Sequence, residues 1–204
     1  MKKPLIVFLA IVILGGAGIA LYMQSAIPGF WALDSGASSL TVTSVKNGDF
    51  EEVHTFKDIR GEADFSGSFE IRIDLESIET GIPIRDERMA HYLFETETYP
   101  VAVISGAFAP GPFEDLAVEG SMITRISATL SLHGMEKDMS ADVMVTRPER
   151  DRVVITSLNP VILEAADFGL EAGIEELRAI VELDSISGTV PVSFEFVFNG
   201  GARP

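Results

Sequence analysis

Three histidines, His54, His91 and His133, and one dense charge cluster, Arg85-Asp86-Glu87-Arg88, are the residues of this chain best equipped for proton or ion chemistry. A zinc centre needs a second His or Cys two to four residues from the first, so that neighbouring backbone aims two ligands at one ion. None of the three histidines has such a partner, and the chain contains no cysteine, which also removes disulfides and thiolate nucleophiles. A serine nucleophile wants a strained glycine elbow; Gly67-Ser68 and Ser105-Gly106 lack the second glycine and the following helix. No phosphate-cradling glycine loop occurs either. The Arg85–Arg88 cluster could hold an acid and a base, but alternating charges at the start of a short helix are commonly capping and i,i+3 pairing. The sequence therefore predicts no catalytic residues, no metal and no cofactor beyond a bound lipid. The alternative chemistry is a lipid-modifying enzyme with His91, Asp86 or His133 as its base.

The elements that would position these residues are strands. From Trp31 onward the hydrophobic period is two, the mark of strands with one buried and one wet face. Phe69, Ile71, Ile73 and Leu75 alternate with Glu70, Arg72, Asp74 and Glu76; Val190, Val192, Phe194, Phe196 and Phe198 form a second such set, and Met139, Ala141, Val143 and Val145 a third. Leu40 to Val45, Ala102 to Phe108 and Ala128 to His133 are less regular strand candidates. Turn signals separate them at Asn47-Gly48-Asp49, Phe65-Ser66-Gly67, Pro110-Gly111-Pro112, His133-Gly134 and Ser187-Gly188. Two stretches have helical character. Ile84 to Glu95 places Met89 and Leu93 at i and i+4, and Ala172 to Ala179 ends on a helix-favouring Arg178. One-faced antiparallel strands at this spacing build a sandwich or a barrel.

Lys plus Arg number 15 against 31 Asp plus Glu, a formal charge of −16. Nucleic acid would be repelled by this surface, and an anionic membrane leaflet would not hold it flat. With 47% hydrophobic residues, disorder is excluded. Thirteen Phe against one Trp and three Tyr would line an interior with few hydrogen-bonding handles.

The first thirty residues are a separate object. Lys2 and Lys3 precede an uncharged run whose apolar stretch, residues 4–23, is long enough to cross a bilayer as a helix. This predicts residues 1–29 as a signal anchor or a cleaved signal peptide, Gly18 and Ala20 being spaced for cleavage. In either case residues 30–204 are expected in the cell envelope, periplasmic or extracytoplasmic, anchored in the inner membrane or secreted. A retained anchor would end a few residues before Trp31, which would set a barrel mouth beside the bilayer.

Taken in order, Thr55-Phe56-Lys57-Asp58-Ile59-Arg60-Gly61, Ser77-Ile78-Glu79-Thr80-Gly81 with Arg85-Asp86 and Tyr99-Pro100, Leu130-Ser131-Leu132-His133-Gly134-Met135-Glu136-Lys137, and Ala166-Asp167-Phe168-Gly169 resemble the successive landmarks of the YceI-like family. The resemblance runs from Trp31 to Phe198. It implies an all-β, eight-stranded antiparallel lipocalin-like barrel with a short helical insertion, holding a polyisoprenoid, an isoprenoid quinone or a similar amphiphile, in bacterial proteins with no assigned catalysis. Two departures stand out: Asp34-Ser35-Gly36-Ala37 replaces a His-Ser pair often seen near the first strand, and Tyr92-Leu93-Phe94 follows the Arg85-Asp86 pair without the usual acidic residue.

Strand parity then selects Phe69, Ile71, Ile73, Leu130, Leu132, Met139, Val143, Phe194 and Phe196 as lining residues, and Met89, Tyr92 and Leu93 as a lid. Removing ~400 Å2 of polyprenyl chain from water, at about 25 cal/mol per Å2, yields on the order of 10 kcal/mol before the loss of ligand freedom. The alternative to a carrier is a solid barrel serving as an interaction module at the membrane surface; a homodimer is compatible with either.

Overall fold

The computed structural model describes residues 30–64 and 66–201. The predicted membrane segment, and Phe65 of one turn, lie outside them. Twelve strand segments form one antiparallel sheet: β1 (Phe30–Leu33), β2 (Ser39–Lys46), β3 (Phe50–Phe56), β4 (Ile59–Asp64), β5 (Ser68–Asp74), β6 (Ile78–Glu79), β7 (Val101–Ala107), β8 (Ser121–Leu132), β9 (Met135–Glu149), β10 (Arg152–Ser157), β11 (Val161–Glu164) and β12 (Thr189–Gly201).

The twelve segments make eight staves. Both β1 and β2 lie along β12, with Ala32 opposite Asn199 and Thr41 opposite Ser193, so they are one strand broken by a turn. In the same way β4 pairs with β1 and β3 with β2, β5 with β4 and β6 with β3, while β10 and β11 share β12. The sheet closes where Trp31 meets Gly200, a barrel of eight staves with no exposed edge along this seam. A side chain at Gly200 would collide with the Trp31 ring, whose carbons lie 3.0 Å from the place a Cβ would occupy. The longest hairpin, β8 to β9, turns through His133 and Gly134, both in left-handed conformation at φ 52° and 75°, the two-residue turn that matches strand twist.

Inward residues follow the predicted parity: Ile71, Ile73, Leu130, Val143 and Phe196 are buried while Glu70, Arg72, Ser140 and Met144 are exposed. The strand predicted through Glu76 ends earlier, at Asp74. Its carboxylate accepts from the Glu76 amide and starts a 3₁₀ turn, Leu75–Ser77. Pro110-Gly111-Pro112 is not a simple turn but opens α2 (Gly111–Glu114), because proline's fixed φ suits the first helical positions. Strands β1, β3, β4, β6, β10 and β11 escaped the parity reading.

The predicted helix over Ile84 to Glu95 has two parts, α1 (Pro83–Arg88) and a π-helical turn, Met89–Leu93. The second predicted helix is α3 (Glu171–Ile180). It packs on the π turn at Gly173, where a Cβ would stand 2.4 Å from the Tyr92 carbonyl oxygen and 2.8 Å from the Leu93 Cα. This interior helical glycine is there for close approach, since alanine would otherwise be the better helix former.

Candidate ligand cavity

The barrel is hollow. A chamber of about 550 Å3 lies between the barrel wall and the roof made by α1, the π turn and α3. A smaller one of about 220 Å3 fills the opposite end, near Trp31, Phe69 and Phe113. Ile104, Met139, Val161 and Phe194 line both and form the waist between them. Along β12 the wall runs from Val190 to Phe198, roughly 26 Å of strand and ~20 Å along the axis after allowing for stave tilt.

All nine residues selected by parity stand on this wall. Ile73, Leu130 and Leu132 face the larger chamber, Phe69, Ile71, Val143 and Phe196 the smaller, and Met139 and Phe194 the waist. Of the three lid residues, Met89 and Leu93 line the larger chamber; Tyr92 does not and instead meets His91 edge-on, with ring centroids 4.6 Å apart. The wider π turn is the reason. Phe94 N–H donates to the Met89 carbonyl, five residues back, which keeps Met89 and Leu93 on one face and rotates Tyr92 off it. Around the roof, Ile82, Ile84 and Val181 line the chamber while remaining about half exposed, an apolar rim.

The sequence reading missed the polar part of the wall. Six lining residues of the larger chamber are polar, and all sit in one sector: Ser44 and Lys46 on β2, His54 on β3, Arg85 and Arg88 on α1, and Ser187 beside them. Here Lys46 and Arg85 both pair with Glu52, the Arg85 Nη1 donating at 2.6 Å to Oε2. These two cations hold the Glu52 carboxyl down to about 2. Arg85 is itself fixed, its Nε and Nη2 donating to the hydroxyl and carbonyl of Thr80, while Asp86 accepts from the Thr80 amide and hydroxyl. Behind the cluster His54, 2% exposed, bonds through Nε2 to the Ser44 hydroxyl at 2.8 Å; its Nδ1 has no partner. Burial, and then the nearby Arg85, lowers its pKa, so the ring is neutral. The missed signal was parity on a polar strand: Glu52, His54 and Phe56 share one face of β3.

The three base candidates do not converge. His91 is exposed on the π turn, Asp86 is engaged by Thr80, and His133 packs against Tyr99, its Nδ1 3.2 Å from the Phe168 carbonyl. None lines either chamber. Glu95 reaches only to 3.7 Å of the buried His133 Nε2, beyond hydrogen-bond range, so this contact is an ion pair only if the ring is protonated. Among the described residues no group of three His, Asp or Glu could hold a metal ion, and no helix is long and apolar enough to cross a membrane.

The family model of the YceI-like domain matches residues 31–198, the barrel from its first strand to its last. This chain is a member of the YceI-like family. A solved polyisoprenoid-binding domain from Saccharophagus degradans, described as implicated in plant cell wall breakdown, is 38% identical, covers 84% of this chain and 98% of its own, and superposes with a TM-score of 0.82. BcnA from Burkholderia cenocepacia shares the fold at 17% identity and a TM-score of 0.62, over 81% of this chain and 98% of its own. A YceI protein from Campylobacter jejuni does so at 14% and 0.51, over 74% and 84%. No curated protein matches the chain. The first strand, β1, begins at Phe30 beside the smaller chamber, and the helical roof covers the other end of the barrel.

Proposed function

We propose that this YceI-like barrel is a carrier for a long apolar amphiphile, a polyisoprenoid or an isoprenoid quinone, threaded from the larger chamber through the waist into the smaller one, and that it does no chemistry on its cargo. The single observation that carries this reading is the pair of largely apolar chambers, adjoining at shared wall residues, inside a closed barrel; a solid interaction module has no use for them. The polyisoprenoid-binding domain of S. degradans, alike over nearly its whole length, supports the ligand class. Burying ~400 Å2 of apolar chain, on the order of 10 kcal/mol before the loss of ligand freedom, is enough for micromolar binding without any polar contact. We place the barrel outside the cytoplasmic membrane, on the strength of Lys2, Lys3 and the apolar run that follows.

Native mass spectrometry with lipid extraction on the full chain, purified from a bacterial envelope fraction, tests the carrier. A stoichiometric isoprenoid is expected. A chain that stays empty after incubation with quinones and polyprenols would return the weight to an interaction module. A fusion of alkaline phosphatase to the C-terminus tests location: activity is expected, and an inactive fusion places the barrel in the cytoplasm.

A further inference from the structure

Acids outnumber bases by 31 to 15 in this chain, yet among the described residues the larger chamber is lined by three cations, Lys46, Arg85 and Arg88, and by no carboxylate. The roof helices sort their charges to that end. On α1 and the turn after it, Ile84 and Arg88, and Arg85 and Met89, stand four residues apart and line the chamber, while Asp86 accepts from Thr80 and Glu87 lies exposed. From α3 the lining takes Ile174 and Leu177 and none of its glutamates. Glu52 answers Lys46 and Arg85; among the described residues nothing forms an ion pair with Arg88. Resting on the carrier reading above, we propose that the cargo carries an anionic head, a phosphate or a carboxylate, and that Arg88 holds it at the rim of the larger chamber.

The position fits. Arg88 lines the chamber and is also partly exposed, so its side chain spans the boundary between apolar wall and water. An arginine so placed lays its stem on the apolar surface and keeps its charge at the wet edge. The head of an amphiphile follows the same rule: its tail fills the apolar chamber, and a charged head stays at the mouth, beside the half-exposed Ile82, Ile84 and Val181. The chemistry fits as well. A guanidinium offers a planar fork that donates to two oxygens of one phosphate or carboxylate. Lys46 and Arg85 add field more than contact, since Glu52 takes a donor from each and Arg85 gives Nε and Nη2 to Thr80. A hydroxyl or a quinone carbonyl brings no charge to answer Arg88.

The test is displacement of N-phenyl-1-naphthylamine from the full chain by competitors that share one tail: geranylgeranyl phosphate, the corresponding carboxylic acid, the alcohol, a quinone bearing the same chain, and the headless hydrocarbon. On the wild type at low salt the phosphate is expected to compete about tenfold better than the alcohol, the lower range of a hydrogen bond to a charged group. The gap should narrow at high salt, because the head lies at the edge of water. It should fall below about twofold in Arg88→Met, which keeps an apolar stem, and largely survive in Arg88→Lys, with hydrocarbon binding unchanged in both. A carboxylic acid that keeps pace with the phosphate supports a site for anions in general, and one that falls back to the alcohol supports a site for phosphate. An alcohol or quinone that matches the phosphate on the wild type, or a gap that survives Arg88→Met, would overturn the proposal while leaving the carrier intact. Failure of every competitor would overturn both.

Discussion

The two chambers of this barrel are built from the same staves and do different work. The smaller is closed by packing: Phe69, Phe196 and Val143 come from strands, and Phe108 lies against Phe113 with centroids 4.4 Å apart. The larger is bounded on one side by helices that the barrel does not need for closure, and its polar lining, Ser44, Lys46, His54, Arg85, Arg88 and Ser187, gathers in one sector beside them. A wall of strands is rigid and can select only by length and volume. A roof of short helices over a polar sector can open, and can select by head group.

The sharpest way to break this comparison is to lift the roof. Gly173→Ala sets a methyl against the Tyr92 carbonyl, and the overpacking should cost about 2 kcal/mol despite alanine's better helix propensity. Hydrogen exchange should accelerate over residues 83–94 and 171–180 and stay unchanged in β8 and β9; acceleration throughout would mean that roof and barrel are one cooperative unit. Next in size is a block at the waist. Phe194→Trp is expected to weaken a long polyprenol about tenfold, the worth of roughly 60 Å2 of chain no longer buried, while a short one confined to the larger chamber binds as before. Competition titrations with two chain lengths decide it, and equal losses for both would merge the chambers into one.

The smallest effect is on pH. The Glu52 carboxyl is lowered in the folded state to about 2 from an ordinary 4.5, so its contribution is fully present above about pH 4.5 and is lost as pH falls toward 2. Because Glu52 is about one third exposed, solvent screening holds that contribution to about 1 kcal/mol or less. Urea titrations at pH 6 and pH 3 should show a smaller acid loss for Glu52→Gln than for wild type. An identical loss in both would show that the ion pairs at the mouth add nothing to the stability of the roof.

Much of the barrel was legible in the chain because its strands obey a simple rule. Where one face is apolar and the other charged, as from Phe69 to Asp74 or Val190 to Phe198, parity names the wall directly, and the nine lining residues chosen that way all face the cavity. The rule failed where polar residues point inward. Phe50–Phe56 carries Glu52 and His54 on its inner face, so its alternation is invisible to a hydrophobic period, and the polar end of the cavity went with it. It also failed at Tyr92, since one additional residue in a π turn rotates everything after it.

By itself, then, the sequence determined the strands with one apolar face, the inward side of those strands, the family and the acidic exterior, because these depend on local periodicity and on composition. Only the tertiary structure decided that the inner faces leave a two-chambered void rather than meeting in a solid core. It alone brought Lys46, Glu52, His54 and Arg85 together from three elements. Volume and polar satisfaction are sums over residues distant in the chain, and no local pattern carries them.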